Sequence, residues 1–314
     1  MYFLSEEERK YLLRGLVPRS RALAVAEEHR GWNWHQPPLD PPYGVRLGVY
    51  EVAGRYCATG RDVYLRRVRG LRGEPNRAMV AGGFYHAVLV EVLTRAKRLL
   101  YAHGVEGFRA ALASLAEPAL SGPAGRWRGS LPADEWAEVE RRGRLLWEFE
   151  ASRVSARVQE VLARHPHINE DALVALAVPV VVEQRLDGTF LGLSPNLSAD
   201  AVTVGEPLVM DVKFGEPRDF HRLATTGYAL VIEAIHEYPV NLGCIVYADF
   251  QGDRWVVRRD FHVIDDALRH WFLEERDEKM RLVFEEIDPG LPEECPADCP
   301  YFGVCRGAGE AVAG

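Results

Sequence analysis

"LVMDVKF", residues 208–214, is the stretch on which the reading of this chain turns. Leu208, Met210, Val212 and Phe214 alternate, as one buried face of a β-strand does, which leaves Asp211 and Lys213 together on the other face. Lysine is scarce here: Lys10, Lys97, Lys213 and Lys279 are the only ones among 38 basic residues. A rare lysine beside an aspartate on so apolar a strand calls for a reason.

The reason lies just upstream, in "LSADAVTVGEPLVMDVKF". Residues 202–204 and 208–212 are strand-like, and Gly205-Glu206 makes a two-residue hairpin turn. That register pairs Val204 with Pro207, Val202 with Val209 and Asp200 with Asp211. The two aspartates then face each other with Cβ atoms about 4.5–5.5 Å apart, and Lys213 shares their side. Carboxylates this close repel unless something neutralises them, and a hard divalent cation, Mg²⁺ or Mn²⁺, does so. The lysine would hold or help deprotonate an attacking water and stabilise charge on a phosphorane-like transition state. The plainer alternative is an exposed hairpin face on which Lys213 merely neutralises the aspartates. "GGFYH" (82–86) starts a helix at Gly82 and Gly83 and delivers His86 in its first turn, as a nitrogen ligand to the same metal or as a structural histidine. Glu183, closing "VPVVVE", is either a further acid near the site or a salt-bridged strand end.

At 314 residues the chain has room for two average domains or one α/β domain with insertions. A net charge of −8 excludes a uniformly basic nucleic-acid coat, so any such contact needs a local patch. The best is "YCATGRDVYLRRVRGLRGEPNR" (56–77), with Arg61, Arg66, Arg67, Arg69 and Arg72 around Tyr64. The acidic start MYFLSEEERK is not a signal peptide, and the apolar run around Ala172–Val182 is too short to cross a bilayer, which leads us to expect a cytoplasmic protein. The arginine excess, with five Asn and four Gln, fits a thermophile, although a GC-rich genome would give the same bias.

Along the chain, residues 1–30 read as one or two helices, 35–44 as a proline-rich break, and 82–103 and 132–164 as helices. Sheet signals follow at 176–184, 190–193, 198–204, 207–214, 240–249 and 254–260, with helices at 217–236 and 263–285. Helices first and a mixed sheet later suggest one α/β domain with a helical insertion. The expected organisation is an N-terminal helical and basic segment (1–80), a core (81–285) with the insertion at about 105–165, and a cysteine-rich tail (286–314).

"CPADCPYFGVC" sets Cys295, Cys299 and Cys305 at C-x3-C-x5-C spacing, with Cys57 far upstream. Four thiolates suit a 4Fe-4S cluster or a zinc ion, and three clustered cysteines with one distant partner differ from paired zinc knuckles. Disulfides are the remaining alternative. Cys244, within "NLGCIVYADF", reads as a buried bystander.

With these residues on the page, the chain resembles a known family. Asp200 and Asp211-Val-Lys213 resemble the D…(D/E)xK core of the restriction-endonuclease-like PD-(D/E)XK nucleases. Gly82-x-x-x-His86 resembles the first motif of their RecB branch. Tyr228 resembles the tyrosine of that branch's Q-x-x-x-Y helix, with Ala224 where glutamine is expected and His221, Arg222, Thr225 and Thr226 as polar neighbours. One cysteine before the core and three after it resemble the iron–sulfur arrangement of RecB-type nucleases. "YCATGRDVYLRRV" is similar to the N-terminal cysteine segment of the CRISPR-associated iron–sulfur exonucleases of the Cas-four family, and the arginine-rich helical region is most similar to the archaeal type I-A variant. The resemblance spans roughly residues 50–305. It departs in the C-x3-C spacing, in Asp rather than Glu at 211, and in the missing glutamine.

The resemblance implies a restriction-endonuclease-like mixed sheet with a helical insertion and an iron–sulfur module joining the two ends. It makes His86, Asp200, Asp211 and the Val212 carbonyl ligands of Mn²⁺ or Mg²⁺, Lys213 the catalytic lysine and Tyr228 a supporting residue. Cys57, Cys295, Cys299 and Cys305 become ligands of a 4Fe-4S cluster. The implied activity is 5′→3′ exonucleolytic trimming of single-stranded DNA ends during CRISPR adaptation. Partners would be DNA, the integrase proteins of that system and further copies of the chain itself.

Overall fold

The computed structural model describes residues 1–203 and 208–307. Five strands, β1 (Val180–Leu186), β2 (Leu197–Thr203), β3 (Leu208–Lys213), β4 (Leu242–Gln251) and β5 (Arg254–Val263), form one mixed sheet in the order β1-β2-β3-β4-β5. Every neighbouring pair is antiparallel except β3 and β4, which run parallel. A parallel pair needs a long crossover, and here the Arg222–His236 helix supplies it.

Val202 pairs with Val209 and Ala201 with Met210, the register that the alternation of "LVMDVKF" predicts. The expected turn at Gly205-Glu206, with Val204 and Pro207, lies outside the described residues. The sheet carries helices on both faces. Leu208, Met210 and Val212 pack with residues of the Arg77–His103 and Ala133–Arg164 helices, including Phe84, Val88, Leu146 and Trp147. Val209 packs with Leu223, Leu230 and Phe272 of the Arg222–His236 and Asp266–Phe284 helices. Both faces of β3 are therefore covered, and Asp211 is drawn into the interior.

Several elements differ from expectation. The helix carrying His86 begins at Arg77, because Asn76 caps it by accepting the Met79 amide. Gly82 and Gly83 thus lie inside the helix and do not start it. A Cβ at Gly83 would run into the Trp127 ring, so this glycine permits a close packing contact. The expected strand at 176–184 opens as the end of a helix, Glu170–Ala177, and Pro179 separates it from β1. Residues 190–193 are not a strand: Thr189–Leu191 form a 3-10 turn, followed by Gly192 at φ +66°. The expected insertion folds as Phe108–Ala116, Ser121–Gly125 and Ala133–Arg164, all packed on the Arg77–His103 helix. Among the described residues no helix is long and apolar enough to cross a membrane.

The two ends of the chain are laced together. Thr59 Oγ1 donates to the Gly290 carbonyl (3.0 Å), Arg61 pairs in bidentate fashion with Asp288 (2.8 Å twice), and Asn76 Nδ2 donates to the Asp298 carbonyl (2.8 Å). Tyr64 and Leu65 pack with Tyr301 and Cys305 in a small cluster of their own.

Candidate metal centre

The hairpin β2–β3, the helix Arg77–His103 and strand β1 bring four acidic or imidazole side chains to one end of the sheet. His86, Glu183 and Asp200 each offer a ligand atom, and these atoms lie within 4.8 Å of one another. His86 Nε2 donates to Glu183 Oε1 at 2.5 Å, and its Nδ1 lies 3.8 Å from Asp200 Oδ2. Ser198 Oγ donates to the other Glu183 oxygen at 2.6 Å. Asp200 Oδ2 accepts the Val212 amide at 2.8 Å, which ties the two halves of the hairpin together where the backbone ladder ends. Lys213 Nζ sits 2.8 Å from Asp211 Oδ2 as an ion pair, and the buried Asp211 oxygen makes no well-aligned hydrogen bond.

The electrostatics follow from crowding. Burial works against the His86 imidazolium, but Asp200, Glu183 and Asp211 outweigh it and raise its pKa to about 9. The His86 hydrogen bond holds the Glu183 carboxyl below its ordinary value. Burial, with Asp200 nearby, raises Asp211, and Lys213 opposes that rise. Burial alone would lower Lys213, yet Asp211 and Asp200 push it above the ordinary lysine range. A lysine so placed is an ammonium at neutral pH and acts as a fixed positive charge.

Glu183 is the residue whose role the sequence left undecided. It occupies the β1 position opposite Asp200, between the pairs Val182–Ala201 and Gln184–Ala199, and has φ +51°. A non-glycine residue there is strained, and such strain gathers at functional sites. No periodicity signals it, because the strain interrupts the strand pattern at this position.

Tyr228 is close enough to the acids that burial and then Asp200, Asp211 and Glu183 all raise its phenol. Ala224 is buried, and Thr225 and Thr226 donate to the Arg222 carbonyl within their own helix. His221 is the polar neighbour placed beside Lys213: burial and then that ammonium lower its pKa to about 4. Its ring nitrogens meet the hydroxyls of Tyr56 (2.9 Å) and Tyr247 (3.1 Å). Tyr2 also escaped sequence reasoning. Its buried hydroxyl has no hydrogen-bond partner, and burial, Asp200, Asp211 and Glu183 raise its pKa.

The basic stretch is divided. Arg61 is held by Asp288, Arg67 donates through Nε to Glu51 at 2.8 Å, and Arg66 lies over the Tyr50 ring and donates to the Tyr301 hydroxyl at 3.4 Å. Arg69 and Arg72 are exposed. On the Ala133–Arg164 helix, Arg141, Arg142, Arg153 and Arg157 pair with Glu138, Glu150 and Glu160. Cys57, Cys299 and Cys305 all come near Cys295: burial, then Cys299, Cys305 and Cys57, raise its thiol, and Arg61 lies beside Cys305. No three of these sulfurs lie within 4.8 Å of one another. Cys244 is buried in β4, away from them.

A family model described as CRISPR-associated exonuclease Csa1 matches residues 1–309. A Saccharolobus solfataricus protein named CRISPR-associated exonuclease Csa1 is 32% identical over 282 residues, covering 90% of this chain and 92% of its own length. A Thermoproteus tenax protein of the same name is 34% identical over 295 residues, covering 94% and 96%. No solved structure matches. Its sequence matched almost from end to end, the chain belongs to the CRISPR-associated exonuclease Csa1 family and is a nuclease.

Proposed function

We propose that this chain is a metal-dependent DNA exonuclease of the PD-(D/E)XK kind. The observation that carries the reading is the convergence of His86, Glu183 and Asp200 beside the Asp211–Lys213 pair. This donor set, one imidazole and carboxylates gathered within 4.8 Å, fits Mn²⁺ or Mg²⁺, with Asp211 close by and already facing the Lys213 ammonium. His86, Glu183, Asp200, Asp211 and the Val212 carbonyl would hold the ion. When bound, it supplies charge neutralisation and Lewis-acid stabilisation of a phosphoryl oxygen. Lys213, protonated and anchored by Asp211, orients the attacking water and stabilises the charge that develops on phosphorus-bound oxygens. Asp200 fixes the strand carrying Lys213 through the Val212 amide, and Tyr228 walls the acids from solvent.

The four cysteines would hold a 4Fe-4S cluster. Three clustered thiolates with one distant partner suit such a cluster, whereas zinc more often takes paired knuckles. Iron and acid-labile sulfide in the purified protein, rather than zinc, are the expected content. The finer reading is 5′→3′ trimming of single-stranded DNA ends in CRISPR adaptation, alongside the integrase proteins. End-labelled single-stranded and partly duplex DNA with Mn²⁺ tests it: the label released gives polarity, and protein that binds such DNA with its cluster intact yet never cuts it overturns the catalytic reading.

A further inference from the structure

Beyond the metal centre, one row of side chains crosses the sheet. Lys213 is paired with Tyr247 on β4, and Tyr247 with Arg258 on β5, so all three stand on the same face. Two strand spacings separate Lys213 from Arg258, about 10 Å. Arg258 is exposed and has no carboxylate partner among the described residues, and the same holds for Arg218 in the segment between Lys213 and the crossover helix. The other two arginines nearby are engaged: Arg222 pairs with Asp260 (2.7 and 2.8 Å), and Arg259 with Glu8.

Arg218, Arg222, Arg258 and Arg259 line a cleft of about 430 Å³ beside Lys213's neighbour Tyr247, with Tyr247 and Trp271 as its aromatic walls and Asp219 as its remaining acid. Through Arg222, Leu268 and Trp271 it adjoins a second cleft of about 470 Å³, which carries Tyr11 and Phe261. Tyr11 is more than half exposed and lies 6.5 Å from Phe261, ring to ring. Each cleft has nucleotide-scale volume. Tyr247 is buried, but Trp271 is half-buried, with the Arg55 guanidinium 5.6 Å from its ring, and Tyr11 is open. Unpaired guanidinium groups beside such rings are the combination that holds a single nucleic-acid strand: phosphates on the cations, bases on the rings.

We propose that this double cleft along the β5 edge binds the single-stranded nucleic-acid substrate beyond the scissile phosphate, with Arg218 and Arg258 as phosphate contacts and Trp271 and Tyr11 as stacking surfaces. The proposal rests on the nuclease reading of the metal centre and names the path of the strand away from it. The basic 61–72 stretch is then secondary, since its Arg61 and Arg67 hold the protein together.

The test is binding of a fluorescein-labelled oligothymidylate by the full chain, read by anisotropy across salt concentrations. Arg218→Ala with Arg258→Ala should weaken binding at least tenfold and lower the slope of log K against log salt by about 1.4, the value for two contacts to a single strand. On cleavage of the same oligonucleotide, KM should rise with kcat unchanged. Hydrolysis of thymidine 5′-p-nitrophenyl phosphate, which reaches only the metal centre, should not change. Arg98→Ala, an exposed arginine on the Arg77–His103 helix, should leave binding as in wild type. Unchanged affinity and salt slope in the double variant, or an equal loss with Arg98→Ala, overturns the proposal. Binding is also read in a Lys213→Ala background, so a failure of the nuclease reading shows separately, as cleavage that survives that substitution.

Discussion

Glu183 and Asp200 stand opposite each other on β1 and β2, at the one position between 180 and 186 where the paired register of these strands is broken. Both carboxylates approach His86, and Glu183 holds φ +51° to do so. Unfavourable backbone geometry and like-charge proximity coincide; the proposed cation would relieve the second while the fold sustains the first.

This gives an unusual stability order. Glu183→Ala and Glu183→Gly both remove the carboxylate, but only glycine relaxes at positive φ. In a strand glycine is ordinarily the weaker choice; here Glu183→Gly should be more stable than Glu183→Ala by about 1 kcal/mol. Urea denaturation of the metal-free proteins measures it. Both variants should bind Mn²⁺ at least tenfold more weakly by titration calorimetry.

Lys213→Ala should lower the cleavage rate by about 10²–10³, the effect of losing one positioned charge donor. Oligonucleotide affinity should change much less. Lys213→Arg should not restore the rate, because the bulkier guanidinium cannot occupy the ammonium's place 2.8 Å from Asp211.

His262 lies buried on β5, near the Thr225 hydroxyl (2.9 Å) and the Asp260 carbonyl (3.1 Å). Burial lowers its pKa to about 4 despite Asp260. Between pH 4 and its unfolded value of about 6.5 the unfolded chain therefore binds the extra proton, so stability falls as pH drops through this window and levels off below it. The full contribution is about 3 kcal/mol. His262→Gln should flatten the acid limb of a stability–pH profile by that order, leaving the share of His221, which is shifted the same way.

Cys299→Ser should lower the melting temperature of the cluster-loaded protein, because the proposed 4Fe-4S cluster would close residues 57 to 305 and the substitution removes one of its ligands. A crosslink over a loop this long contributes at most about 5 kcal/mol. Limited proteolysis should then cut first in 286–300, while the Ala133–Arg164 helix stays protected.

Much of this was legible in the sequence, for physical reasons that differ by element. The β2–β3 register followed from placing a two-residue turn at Gly205-Glu206 between two strand-like runs, and the pairs Val202–Val209 and Ala201–Met210 match it. The Ala133–Arg164 helix was expected at 132–164 because its apolar stripe is long and regular. Residues 190–193 misled because a short apolar run between glycines suits a strand or a 3-10 turn equally. Arg61 and Arg67 looked like a nucleic-acid patch because their acidic partners, Asp288 and Glu51, come from elsewhere in the chain. Tyr2 and Tyr56 carry no local signature at all, and His221 stood out only as one of four polar neighbours of Ala224: each matters through what the tertiary fold sets against it.

The lacing of residues 59–76 to 288–298 also has a temporal side. On the ribosome the first cysteine emerges more than two hundred residues before its companions, an interval of about 10–50 s at ordinary elongation rates. Throughout that time Thr59, Arg61 and Asn76 lack the partners that hold them in the finished fold. Thr59, Arg61 and Asn76 therefore meet Gly290, Asp288 and Asp298 only after all five strands of the sheet have been made, so the docking of the N-terminal segment is a late event of synthesis.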